Sequence, residues 1–282
     1  MTTSNSVNSL RQRAMVVSLH IRRWGAEKRD EEREREIAEM HNSSANIGRF
    51  TKKLMISPKY EEIKSVLNRA RSYHRSMTLA WSDVTNERLI MNEKTFEYMI
   101  KLGAFTIELE RLVDEFLAAY SEAKDKEKIR LNGMYKESDY PHPEIIRESF
   151  KIKAIFSPIS DANDFRVGLS DTMVDLFVSQ LQKETESRIS AANNELLDKV
   201  RDAVDKMISV LNEPGSIIRE TVVGNIQNLM ETLPLYNFSG DQHIVDVIEM
   251  LRPLCVNTEL LKGSDSFRKD ILAKAKAVLP QI

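Results

Sequence analysis

Ser170 to Leu211 reads SDTMVDLFVSQLQKETESRISAANNELLDKVRDAVDKMISVL, and this run decides the architecture. Ser170 can cap a helix and Asp171 suits the positive end of the helix dipole. No Pro or Gly follows until Pro214 and Gly215, so one helix of about forty residues, roughly 60 Å long, is predicted. Ile189, Ala192, Leu196, Val200, Ala203, Met207 and Leu211 recur three or four apart in an eleven-residue repeat. Such a repeat keeps the apolar stripe nearly straight along the helix. Elements that bury this stripe must flank it.

Composition agrees with a helical body. Charged residues make up 30% and apolar ones 41%, with only 9 Gly in 282 residues, a balance that favours helices with short connections. A second long helix is predicted from Asn92 to about Lys124. Tyr98, Leu102, Phe105, Leu109, Leu112, Phe116 and Ala119 form its seven-residue repeat, and Met99, Val113 and Leu117 widen it. Ser57 and Pro58 start a further helix that turns Ile63, Val66, Leu67 and Ala70 inward. Ile217 to Leu233 is predicted as a helix stopped by Pro234. Asp241 caps the next, with Ile244, Val247, Ile248 and Leu251 inward, and Ser264 begins the last, with Phe267, Ile271, Leu272, Ala275 and Val278 inward.

Two strands are predicted from alternation, Val17 to Ile21 and Phe150 to Phe156, paired with each other. Glu27 to Met40 reads as a solvated, ion-paired helix, Trp81 to Ile90 as a loop, and Glu213 to Ser216 as a turn. Asp161 to Asp164 reads as an Asx-type turn followed by an extended piece, Phe165 to Leu169. The expected fold is mainly α: an elongated bundle of long antiparallel helices with a minor two- or three-stranded β element. The expected divisions are a mobile N-terminus over 1–13, a helical domain with a minor sheet over 14–169, and the long helix with short C-terminal helices over 170–282.

The chemistry-bearing motifs are missing from the sequence. Neither GxxxxGK[ST] nor GxGxxG occurs, nor does HExxH, and His20, His41, His74, His142 and His243 are scattered beside a lone Cys255. The Asp161 loop fails as a calcium site, because Phe165, Arg166 and Thr172 occupy positions that need an oxygen ligand, Gly and Glu. Non-enzymatic action without a cofactor or metal is therefore expected. There is no signal-peptide pattern and no run long and apolar enough for a membrane span, and a single Cys fits a reducing compartment, so a cytoplasmic protein with no membrane partner is expected.

Charge is uneven. Residues 1–81 carry 16 Lys and Arg against 9 Asp and Glu, whereas the remainder carries 25 against 34. Arg49, Lys52, Lys53, Lys59, Lys64, Arg71 and Arg75 are the candidate nucleic-acid-binding residues, with Phe50, Tyr60, Tyr73 and Trp81 interleaved as stacking platforms. Glu61 and Glu62 interrupt this patch. Pairing of the basic front with the acidic remainder is the competing explanation.

LHIRRWGAEKRDEE, GRFTKKLM, ARSYHRSMTLAW and FSPISDANDFRVGLSD, with NIQNLMETLPLYNFSGD further on, resemble a family of uncharacterised proteins of tailed bacteriophages and some bacteria, catalogued as a domain of unknown function. The resemblance covers most of the chain. It implies a phage product acting in the host cytoplasm and carries over no catalytic or binding residue. Two functions follow as expectations. The leading one is an interaction or assembly protein that holds itself or a protein partner through long helices. The other is a nucleic-acid-binding accessory of phage DNA metabolism that uses the basic N-terminal third.

Overall fold

The computed structural model describes residues 9–44, 48–82, 84–160, 171–213, 215–237 and 241–282. The fold is mainly helical, 71% of the described residues, well above the usual third. The chain forms two compact units: the first takes residues 1–18, 78–95 and 156–282, the second 19–77 and 96–155. The divisions expected from the sequence run in chain order, with one at residue 170, whereas these units interleave. Contacts distant in sequence define the units, and no composition shift marks them. Of the segment 1–13 expected to be mobile, residues 9–13 are helical (α1), with Leu10 fully buried, and residues 1–8 lie outside the described residues.

In the first unit, the long helix α7 (Asp171–Asn212) carries the predicted stripe. Ala192, Leu196, Val200, Ala203, Met207 and Leu211 are all buried, joined by Val204. Against them pack α8 (Glu220–Tyr236) and α11 (Asp265–Val278), with α9 (Gln242–Leu251) on α8 and α10 (Thr258–Gly263) on α11 completing the same core. Gly215, with φ +78°, supplies the left-handed residue at the turn after α7. Asp241 and Ser264 cap α9 and α11 as expected, accepting from the backbone N–H of His243 and Phe267. Pro234 does not stop α8. It lies in the last turn, where it forfeits one backbone bond, while Leu233 and Tyr236 on either side are buried. Cys255 is half-buried beside the core.

The same unit holds the largest departure from the sequence reading. Overlapping the stretch read as a loop, Trp81 to Ile90, are β4 (Leu79–Ser82) and β5 (Glu87–Met91), an antiparallel hairpin with an irregularity between Ala80 and Ser82. β5 pairs with β1 (Ala14–Arg22) from Ala14 opposite Met91 to Val17 opposite Arg88. With β6 (Lys151–Ser157) the sheet order is β4-β5-β1-β6, so β1 and β6 are neighbours as expected, but the sheet has four strands. Leu79, Trp81, Leu89 and Met91 pack against the α7 stripe.

In the second unit, α3 (Pro58–Met77) and α4 (Asn92–Ala118) run antiparallel: Lys59 pairs with Glu115, Arg69 with Glu108, and His74 bonds Tyr98. Ile63, Val66, Leu67 and Ala70 are buried as predicted. The predicted single helix through Lys124 is broken at Ala119, which is exposed, and resumes as α5 (Tyr120–Leu131). Tyr120 explains the break. Its ring joins Trp24 and Phe116 at 6.1 and 5.7 Å, and its hydroxyl donates to the Pro141 carbonyl. The unit is completed by α2 (Glu31–Met40), α6 (Pro143–Ser149) and a ribbon of β2 (Glu27–Arg29) paired with β3 (Thr51–Lys53). The helix expected from Glu27 thus begins only at Glu31, capped by the Asp30 carboxylate. The Asp161–Asp164 turn, the extended piece at 165–169 and the Ser170 cap lie outside the described residues.

Candidate functional site

The seven basic candidates do not form one surface. Lys52 is a correction to the set: its side chain is 4% exposed and cannot reach a phosphate. Its ammonium lies 2.7 Å from Asp139 and 3.4 Å from Asp30, and donates to the Met134 carbonyl at 3.0 Å. Lys28 takes the other Asp139 oxygen at 2.6 Å. Burial pushes both carboxyls up, but the Arg33 N–H and Lys52 at Asp30, and Lys28 and Lys52 at Asp139, outweigh it and hold both below the ordinary range. The cluster clamps the β2–β3 ribbon to the segment after α5.

The other candidates are more exposed, and several are engaged. Lys59 pairs with Glu115 at 2.6 Å and with Glu62 at 3.5 Å. Lys64 pairs with Glu61 at 2.6 Å and lies over the Tyr60 ring. Arg71 donates to Asn68. Arg49, Lys53 and Arg75 are exposed, Arg49 close enough to Glu34 to help lower its pKa. The interleaved aromatics are largely core. Tyr60 and Trp81 are buried, and Tyr73 stacks on Tyr98 at 5.9 Å, burial raising its hydroxyl to about 12.

A second polar cluster, in the first unit, ties the β4–β5 hairpin to α7. Glu195 accepts from Arg88 and from the Ala80 N–H, each at 2.5 Å, and Lys199 donates to the Thr78 carbonyl at 2.7 Å. Burial lowers Lys199 to about 8, against the opposing pull of Glu195. These bonds hold structure together. Among the described residues no group of three or more His, Cys, Asp or Glu is placed to hold a metal. No helix among them is long and apolar enough to cross a membrane.

The outer face of α4 is the surface that sequence reading missed. Tyr98, Leu102, Phe105, Leu109 and Leu112 bury one side of the helix. On the opposite side, Phe96, Met99, Ile100 and Ile107 are 74%, 55%, 59% and 70% exposed, with exposed Gly103 and Ala104 between them. The spacing 96, 100, 103, 107 puts one apolar stripe over three turns. Beyond Ile107 the same side turns charged, with Glu110, Arg111 and Asp114. The signal was present as a second stripe in one helix. It is masked because the inner repeat alone accounts for the helix, and Met99, expected to widen that inner stripe, faces out. A smaller exposed apolar pair, Met173 and Leu176, lies near the start of α7.

No protein family, no curated protein and no solved structure matches the chain. Its functional reading therefore stands on its own geometry.

Proposed function

We propose that the protein acts by binding, as a helical interaction or assembly protein that docks a protein helix on the outer face of α4. The observation that carries this reading is the three-turn exposed stripe of Phe96, Ile100 and Ile107 around Gly103. Contiguous exposed apolar surface of this kind marks interaction sites, and an apolar helix face is a recurrent docking mode. The elongated arrangement of helices expected from the sequence belongs to the same proposal, as does action in a host cytoplasm, which rests on the phage-family resemblance.

A photo-crosslinking residue placed at Ile100 or Ile107 in producing cells tests it. Crosslinked protein is expected from both positions and not from Arg71 on α3; no product, or equal product from all three, overturns the reading. The nucleic-acid alternative loses Lys52 and the stacking rings. It would require low-salt DNA or RNA binding that falls with a log–log slope of about −0.7 to −0.9 per phosphate neutralised, and no such binding is expected.

A further inference from the structure

We infer that the occupant of the α4 face is a second copy of the same face, packed antiparallel about a two-fold axis at Gly103 and Ala104. This rests on the docking reading above and names its partner.

Gly103 and Ala104 are the smallest residues of the stripe and lie at its middle, and a Cβ added at Gly103 would meet nothing within 4 Å. Two helices crossing there approach closely, and the bulky residues flank the crossing instead of blocking it. With the axis between Gly103 and Ala104, Ile100 of one copy faces Ile107 of the other, and by symmetry the contact occurs twice. A parallel pairing would stack Phe96 on Phe96 and leave the two glycines facing across a gap.

Charge gives the second argument. One flank of the stripe reads Glu97, Lys101, Ala104, Glu108, Arg111, each three or four residues after the last. Reversed about Ala104, this row is its own complement: Glu97 meets Arg111 of the second copy, and Lys101 meets Glu108. Arg111 and Glu108 already have partners within the chain, Glu115 and Arg69. Arg111 remains 59% exposed and Glu108 35% exposed, so neither is closed off from solvent. Antiparallel helix dipoles add to the same preference.

Size sets the expected strength. The apolar stripe is roughly 16 Å by 10 Å, well short of the about 800 Å² per partner typical of a stable complex. The dimer should therefore be weak and concentration-dependent, with a dissociation constant on the order of 10–500 µM.

Sedimentation equilibrium of the full chain from micromolar to near-millimolar concentration tests this. The wild type should move from monomer to dimer mass. Ile100→Asp should stay monomeric throughout, and Gly103→Leu, which the monomer has room for, should weaken association at least about tenfold. Glu97→Arg and Arg111→Glu should each weaken it about threefold or more, and the double variant should return to near wild type. Circular dichroism of each variant checks that the fold is intact. A wild type that stays monomeric over the whole range, or a double variant as weak as the two losses combined, overturns the inference. If crosslinking at Ile100 yields a different protein while the chain stays monomeric, the inference fails and the docking reading survives. If it yields nothing, both fail.

Discussion

The two units reach stability by different routes. The first is built on aliphatic residues: the α7 stripe shares one core with Leu, Val and Ile from α8, α9, α11 and the β4–β5 hairpin. The second relies on rings and buried ions. Trp24, Tyr60, Phe116 and Tyr120 gather around one point, and Lys52, Asp30 and Asp139 are all but fully buried. An apolar core tolerates changes of shape in proportion to the cavity they leave. A buried ion cluster tolerates loss of one member badly, because the partner's charge is stranded without solvent. The molecule carries one Trp in each unit, Trp24 in the second and Trp81 in the first. Replacing either with Phe leaves the other to report on its own unit.

The largest effect is expected in the second unit. Asp139→Ala leaves the buried Lys52 with Asp30 at 3.4 Å as its one remaining carboxylate and should cost about 3–5 kcal/mol, read as a lower urea midpoint of the Trp24 signal with Trp81 little changed. Equal movement of both signals would show that the units unfold as one. The same cluster sets a pH dependence. The folded pKa values of Asp30 and Asp139 lie below their ordinary values of about 3.9. Their contribution is therefore present above that value and is lost as pH falls through the folded pKa. Acid should thus loosen the Trp24 signal, and Asp139→Asn should flatten that dependence.

In the first unit, Leu196→Ala removes a side chain that is 1% exposed and should cost about 2–5 kcal/mol through the cavity it leaves. The Trp81 signal should move, and acid should not amplify the loss. Lys199 gives this unit an opposite pH signature. Its folded pKa of about 8 lies below the ordinary value of about 10.4, so the unfolded chain binds more protons between the two. Stability should climb over that window. A carbon-13 titration of the Lys199 side chain with a midpoint near 10 would contradict the half-buried position assigned to it.

The smallest effect lies on the outer face of α4. Gly103→Ala fills open space in a helix interior and should stabilise the monomer by about 0.5–1 kcal/mol, raising the melting temperature of the Trp24 signal. A loss would mean that the glycine is held for a contact within the monomer.

Residue pattern alone specified the elements that carry their own period. The α7 stripe from Ala192 to Leu211, the inward rows of α3 and α11, the caps at Asp241 and Ser264, and the alternation in β1 and β6 are all local facts. Periodicity and capping act over a few residues, so a linear reading captures them. Tertiary structure decided the rest. β4 has only Leu79 and Trp81 to alternate, and it becomes a strand because β5 and the α7 stripe lie against it. β2 and β3 are almost wholly charged, and they pair because Lys52 finds Asp30 and Asp139, the latter far away in sequence. Ala119 breaks a helix whose repeat would have continued, because the Tyr120 ring has a cluster to join. Pro234 stays helical because Leu233 and Tyr236 are buried beside it. In each case a contact between distant residues outweighs a local preference of about a kcal/mol or, for Pro, about three. Burial is likewise collective, which is why a lysine that looks like a phosphate ligand in the sequence lies inside the protein, and why an apolar row on α4 lies outside.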